Sequence, residues 1–419
     1  MHLNGDDSAR LQAVLDRAQR RGRLPSVVGA VVQDGRVELA ACSGAHGAVD
    51  AQYRIGSITK TMTAVLVMQC RRDGLLDLDD RLGTHLPEAG YADATLRDLL
   101  AHTAGLQAEP VGPWWERSPG VDVATLLARN DGSGRVFAAR EAFHYSNLGF
   151  ALLGEVVARL RGRAWSDLVT ERLTVPLGMT RTGCVPVAPY AQGYSVDHFA
   201  GTLTAEPHHD TGAMAPAGQV WSTVADLALW LDFLATGHDD VLDADTISAM
   251  AVPGAPGLDY GLGLRLIGPM VGHTGSMPGF LAAAFVDRAT RRGAVALSNA
   301  TTGLATDEIA AELLTGAADP GPTWTPSDGV PAGVSELLGL WFWGNTAHEL
   351  RWSDERLELR VLGDPDDADV FAPTSDGWRG TEGYLMGERL EVARRPDGSV
   401  DRLDCATFRF TRTPYPDGA

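Results

Sequence analysis

The chain has 419 residues, 44% of them hydrophobic and 21% charged, and a formal net charge of −19. That composition provides for a sizeable buried core and excludes a disordered chain. The excess of acid disfavours nucleic acid and anionic membrane surfaces as partners, because both need clustered positive charge.

The length fits two to three domains, or one large domain with an appendage. The N-terminal stretch MHLNGDDSARLQAVLDRAQRRGRLP lacks the basic-then-apolar run of a secretory signal. Leu11, Val14, Leu15 and Ala18 fall on one helical face instead. No apolar run is long enough to span a bilayer. Cys42, Cys70, Cys184 and Cys405 are scattered without CxxC spacing and read as free thiols. These features together lead to the expectation of a cytoplasmic protein.

SVVGAVVQDGRVELAACSG reads as two strands joined at Asp34-Gly35. A helical pattern runs from Ser57 to about Gly74, through Met62, Val65, Leu66 and Gln69. LRDLLAHTAG, LGFALLGEVVARL and TVADLALWLDFLAT continue a helix-rich middle. The strands MVGHTGS, FLAAAFVDR and GAVALSN follow, with a turn expected at Thr290-Arg291-Arg292, and DEIAAELLTG closes the region as a helix. Strands at both ends with helices between predict an antiparallel sheet assembled from distant parts of the chain. Residues 319–333, rich in Pro and Gly, read as a linker after a first domain over 1–318. Short alternating stretches over 334–419 predict a small β-barrel or sandwich, with Trp341, Trp343 and Trp352 in its core. The acidic loop DPDDAD at 364–369 reads as solvated.

Lys60 is the only lysine; the other 34 basic positions are arginine. Only lysine readily gives up its proton near neutral pH, so a lone survivor points to a site that needs a titratable amine. Ser57 precedes it by three residues, within reach on one helical face. A serine at a helix start sits where backbone N–H groups favour an oxyanion, and a neutral Lys60 amine can take its proton. Serine also caps helices without any chemistry, and a bare SxxK is weak evidence. Two further stretches add weight. In FHYSNLGF, Tyr145 can relay a proton to a leaving group and Asn147 can hold a substrate amide. In VGHTGSMPGF, His273, Thr274 and Gly275 lie on a strand, His273 as a candidate catalytic residue and Thr274 and Gly275 as candidate substrate-binding residues, where Gly275 lets the substrate backbone approach closely. The N–H of Ser276 can complete an oxyanion hole with that of Ser57.

SITK, YSN and HTG in this order, with LRDLLAHTAGL, VPLGM and YGLGL, resemble the penicillin-recognising serine hydrolases over roughly residues 7 to 317. The resemblance implies an α/β (α+β) fold of the β-lactamase/transpeptidase type. In that fold an antiparallel sheet is flanked by helices with a helical subdomain, here followed by a small lipocalin-like β domain. HTG in place of KTG offers less fixed charge for a β-lactam carboxylate, and looks more like the DD-carboxypeptidases, D-aminopeptidases and esterases of the family. Arg265, after YGLGL, matches the place where such carboxypeptidases bind the terminal carboxylate of their substrate. The alternatives are a thioesterase that cyclises nonribosomal peptides, with a carrier-protein partner; a weak β-lactamase; and a silent binding protein on the same fold. The expected substrate is a small molecule or peptide, such as a D-amino-acid-containing peptide, ester or thioester. No cofactor or metal is implied. His208-His209-Asp210 lies in a loop-like stretch without metal-ligand spacing.

Overall fold

The Asp34-Gly35 turn sets the sheet in register. Both residues take positive φ, as a two-residue hairpin requires, and join β1 (Val27–Gln33) to β2 (Arg36–Ser43). The computed structural model describes residues 5–316, 323–364 and 368–414. The start of the expected linker, 319–322, and the middle of the acidic loop, 365–367, lie outside the described residues. Two compact units divide the chain: Met1–Tyr194 with Ala205–Thr323, and Ser195–Thr204 with Trp324–Ala419.

The first unit holds a six-stranded antiparallel sheet. Its remaining strands are β3 (Arg265–Ile267), β4 (Met270–Met277), β5 (Phe280–Asp287) and β6 (Arg292–Ser298), in the order β2-β1-β6-β5-β4-β3. As expected, strands from the two ends pair, Val27 opposite Ser298 and Gln33 opposite Arg292. The β5–β6 turn occupies 288–291, one residue earlier than the sequence suggests, and Arg292 already belongs to β6. Helices cover both faces. On one, α1 (Gly5–Gly22) and α6 (Ile309–Thr315) bury Leu11, Val14, Leu15, Ile309 and Leu313 against Val27, Phe285 and Ala294. On the other lie α2 (Thr59–Arg72), α3 (Asn147–Arg161) and α5 (Val224–Thr236), against Val28, Ala284 and Val295. Neighbours such as Ala294 and Val295 alternate between the two cores, so GAVALS reads as a continuous apolar run.

α2 is buried along Thr59–Cys70 and runs through the middle of the larger core. Its three threonines are satisfied from outside the helix or within it: Thr63 Oγ1 donates to Pro216 O (2.8 Å), Thr61 Oγ1 to Ile58 O (2.7 Å), and Thr59 Oγ1 accepts from Val220 N (3.2 Å). Pro216 belongs to the short helix α4 (Ala215–Gly218), which thereby packs on the first turns of α2.

The second unit is a closed eight-stranded antiparallel barrel, β7 (Gly339–Trp343) to β14 (Phe408–Thr411) in sequence order, closed by Phe342 opposite Thr411. Trp341 and Trp352 pack in its interior with Leu350, Leu357, Phe371 and Leu403. Trp343 does not join them and is 47% exposed. It shares a strand face with Trp341 but ends β7 at the Gly344 turn, where inward-facing positions run out of barrel, and it rests on the Phe408 ring. Ser195–Thr204, far away along the chain, is held within this unit. Trp352 N donates to Phe199 O (2.7 Å), and His198 Nε2 lies 2.7 Å from the buried Glu349 carboxylate. Among the described residues no helix is long and apolar enough to cross a membrane.

Candidate active site

Gly56–Ile58 forms a tight 3₁₀ turn that runs straight into α2. Isoleucines occupy the cap positions, and no side chain caps either element, so the Ser57 hydroxyl is not consumed as a helix cap. Lys60 Nζ lies 2.8 Å from Ser57 Oγ and donates to Ala217 O of α4 at 2.7 Å. The Lys60 side chain is fully buried, and its Nζ lies 5.0 Å from the centre of the Tyr145 ring and 5.8 Å from that of Phe150. Burial pulls its pKa from 10.5 down to about 7, against the opposing attraction of Glu109 and Glu116. That shift favours the neutral amine by about 5 kcal/mol relative to water. Ser57 therefore faces an amine that is largely free to accept a proton just above neutral pH.

Tyr145 is placed by the start of α3. Ser146 caps that helix, its Oγ accepting from Gly149 N (3.0 Å), and its own N–H donates to Nδ1 of the buried His102 (3.0 Å). The His102 ring stacks on Tyr145 with centroids 4.2 Å apart. Burial pushes the Tyr145 phenol up, although the neighbouring Ser57 hydroxyl holds it back in part. Among the described residues its buried Oη has no hydrogen-bond partner of ordinary geometry, and a neutral O–H stands beside Ser57. His102, with φ +56°, lies in the LRDLLAHTAGL stretch; its imidazole is held neutral by burial and by Lys60.

The third wall is the free length of β4. β3 pairs only with Met270–Gly272, leaving His273–Met277 with an open edge. Met277 and Phe280 close the two-residue Pro278-Gly279 turn. In an alternating antiparallel ladder, Gly275 and Met277 then bond to β5, while the N–H and C=O of Thr274 and Ser276 point to the open edge. Gly56 meets that edge: a Cβ there would lie 2.5 Å from Ser276 N, and its φ of +50° also favours glycine. At Gly275 a Cβ would lie 1.9 Å from Ile55 O and 3.2 Å from Ser57 N. The close approach that requires glycine at 275 is therefore to the chain's own Ser57 turn, where the sequence reading looked to the substrate backbone. Gly275→Ala is expected to lose about 1–3 kcal/mol of stability and to slow labelling of Ser57 by a fluorophosphonate, as β4 is pushed off the turn. Unchanged melting and labelling would show that the two segments do not need this contact.

The remaining expected residues fall in different settings. His273 is buried, its Nδ1 donating to Thr274 O (2.5 Å) and its Nε2 accepting from Tyr260 Oη (3.0 Å). Burial lowers its pKa to about 3, so it remains neutral with both nitrogens engaged. Arg265 Nη1 donates to Thr274 Oγ1 (2.9 Å) and pairs with Asp307. Asn147 opens α3, its Nδ2 donating to Glu109 Oε1 (2.6 Å), while Trp115 Nε1 donates to Glu109 Oε2 (2.6 Å). Trp115 packs inward, whereas Trp114 is exposed with the Arg117 guanidinium over its ring. His208 packs on Trp221 and Phe280, with ring centroids at 4.9 and 5.9 Å. Ser57, Tyr145, Arg265, His273, Thr274, Gly275 and Ser276 all line one cavity of about 420 Å³. Sequence reasoning missed the Ala217 carbonyl, which no side-chain pattern reveals, and Glu109. It also missed His102, whose only signal was its place in a family-like phrase.

A family model described as beta-lactamase matches residues 11–319, and one described as a domain of unknown function, DUF7586, matches 330–412. Penicillin-binding protein 4 of Amycolatopsis lactamdurans is 29% identical over 240 residues, covering 53% of this chain and 62% of that protein. The D-stereospecific amidohydrolase from Streptomyces sp. superposes with a TM-score of 0.61 at 25% identity, over 73% of this chain and 97% of that one. The octameric penicillin-binding protein homologue from Pyrococcus abyssi shares the fold, with a TM-score of 0.65 at 21% identity over 96% of this chain and 99% of that one. The chain spans 40% to 62% of the length of the first curated relatives it matches. A match that takes in every strand of the sheet and the helix carrying Lys60 settles the family: the chain belongs to the beta-lactamase family, a family of serine hydrolases.

Proposed function

We propose that the protein cleaves amide or ester bonds through an acyl-enzyme on Ser57, closest in kind to the DD-carboxypeptidases, D-aminopeptidases and esterases of its family. The observation that carries this reading is the buried Lys60 amine, 2.8 Å from Ser57 Oγ with its pKa pulled to about 7. In the proposed sequence Ser57 Oγ attacks the carbonyl as Lys60 accepts its proton. The oxyanion forms between the N–H groups of Ser57 and Ser276. Tyr145 gives its phenolic proton to the leaving group and is reprotonated from Lys60. It then helps to activate the water that releases the acyl group. His273, neutral and doubly bonded, orients the strand and Tyr260 rather than exchanging protons.

Mass spectrometry of acyl-enzymes formed with D-peptide esters, β-lactams and peptidyl thioesters tests the reading. Adducts on Ser57 that turn over with D-peptide esters support it. Turnover of β-lactams with no peptide turnover, or release of cyclised product from thioesters, would replace it with one of the alternatives. No adduct with any member would leave a binding protein on this fold.

Arg265 is proposed to receive a substrate carboxylate, exchanging its ion pair with Asp307 for one with the ligand. A charge-assisted contact of this kind contributes roughly 1.5–3 kcal/mol. Arg265→Ala should therefore cost about 10- to 150-fold in kcat/KM on substrates with a free carboxylate near the scissile bond, and little on matched neutral esters. Equal losses on both would reject the role.

A further inference from the structure

We infer that the cavity beside Ser57 is a leaving-group subsite built for a bulky apolar residue, larger than alanine. The inference rests on the hydrolase reading above and goes beyond it by naming the class of group released. A leaving group must lie against the residue that protonates it. The cavity contains Tyr145, His273, Thr274 and Arg265 but neither Lys60 nor Asn147, which places it on the Tyr145 side of Ser57. Arg265, Thr274, Thr306 and the β4 edge supply most of its polar groups and Asp259 lies at its rim beside Leu258, while Phe143, Leu258, Tyr260 and Leu281 supply apolar wall. Tyr260 presents its ring, because its hydroxyl is spent on His273. Leu258 comes from the loop before β3 and Leu281 from β5 beside Ser276, so two separate elements bring aliphatic side chains to the same space. At about 420 Å³ the cavity lies in the range that holds ring-sized ligands. A methyl group would leave most of it empty, whereas a leucine or phenylalanine side chain would bury apolar surface there. Because each methylene well placed in an apolar pocket discriminates by about 10-fold or more, the difference between alanine and phenylalanine should be large.

The test is a series of peptides with one acyl group and alanine, leucine or phenylalanine as the released residue, in both enantiomers, beside the methyl ester of the same acyl group. The full chain, its Leu258→Trp variant and, should that variant fold poorly, Leu281→Phe are compared by kcat/KM. A fluorophosphonate releases only fluoride and reports Ser57 competence without using the cavity. The expected result is a preference of at least about 10-fold for leucine or phenylalanine over alanine. Filling the cavity should abolish that preference, with a much larger loss on phenylalanine release than on the methyl ester. Equal rates along the series in fluorophosphonate-reactive enzyme would overturn the subsite alone, as would a size preference that follows the acyl group. An enzyme that neither labels nor turns over any substrate would overturn the hydrolase reading, and the subsite with it.

Discussion

Lys60→Arg should slow acylation of Ser57 by about 10²–10⁴-fold, the usual worth of a general base. Guanidinium stays protonated across the working pH range and cannot accept the serine proton. From sequence alone, arginine here looks harmless to stability, because it keeps the charge and favours helix. The structure reverses that expectation. Lys60 is fully buried among Tyr145, Phe150 and α4, with one backbone carbonyl and one hydroxyl as partners. Lysine tolerates such a place by shedding its proton. Arginine cannot, and carries the full desolvation penalty of several kcal/mol. Lys60→Met, neutral and nearly isosteric, separates the two effects: it should fold at least as stably as the parent and acylate as poorly as Lys60→Arg. The pH dependence has a definite sign. The folded pKa of about 7 lies below the unfolded 10.5, so the cost of burying the ammonium is fully present below pH 7. It disappears as pH rises toward 10.5, and stability rises across that window. The acylation rate of the parent should rise through about pH 7, and that rise should be missing in both variants. Single-turnover kinetics on folded protein measure this. Near-parental acylation by either variant would remove Lys60 from the mechanism.

Ser57→Ala should abolish hydrolysis and all covalent labelling by a fluorophosphonate. Its Oγ is the hydroxyl that Lys60 Nζ reaches, on the lining of the cavity and at the junction of the 3₁₀ turn with the β4 edge. The substitution removes one half-buried hydroxyl that no helix cap depends on, so melting should shift little. Peptide mapping of any residual adduct is the decisive readout. Ser276, exposed on the same cavity, is the internal control. Adduct on Ser276 or elsewhere at the parental rate would displace Ser57 as the nucleophile.

These expectations could be framed because the chemistry-bearing motifs are local. Ser57 and Lys60 are one helical turn apart, Tyr145 leads into a helix with a visible apolar stripe, and HTG lies within an alternating strand. Spacing and periodicity act over three to eight residues, so a sequence displays them directly. The Asp34-Gly35 hairpin and the short barrel strands were legible for the same reason. Trp343 was misplaced because alternation tells which face a residue takes, and not whether the barrel extends far enough to cover it.

What the sequence determined by itself was the set of candidate reactive groups, the strands and helices that carry them, and the division into a sheet-and-helix region and a β-rich one. What only the tertiary structure decided was their electrostatic state and their meeting. The pKa of Lys60 falls because α4, Tyr145 and Phe150, from distant parts of the chain, exclude water from it. Glycine is needed at 56 and 275 because the Ser57 turn and the β4 edge touch there, although more than two hundred residues separate them. His102 bears on Tyr145 through stacking on its ring and through a hydrogen bond from the neighbouring Ser146 N–H, which no local pattern announces. Desolvation and close approach arise from packing between segments remote in sequence, and a single chain read in order does not contain them until it is folded.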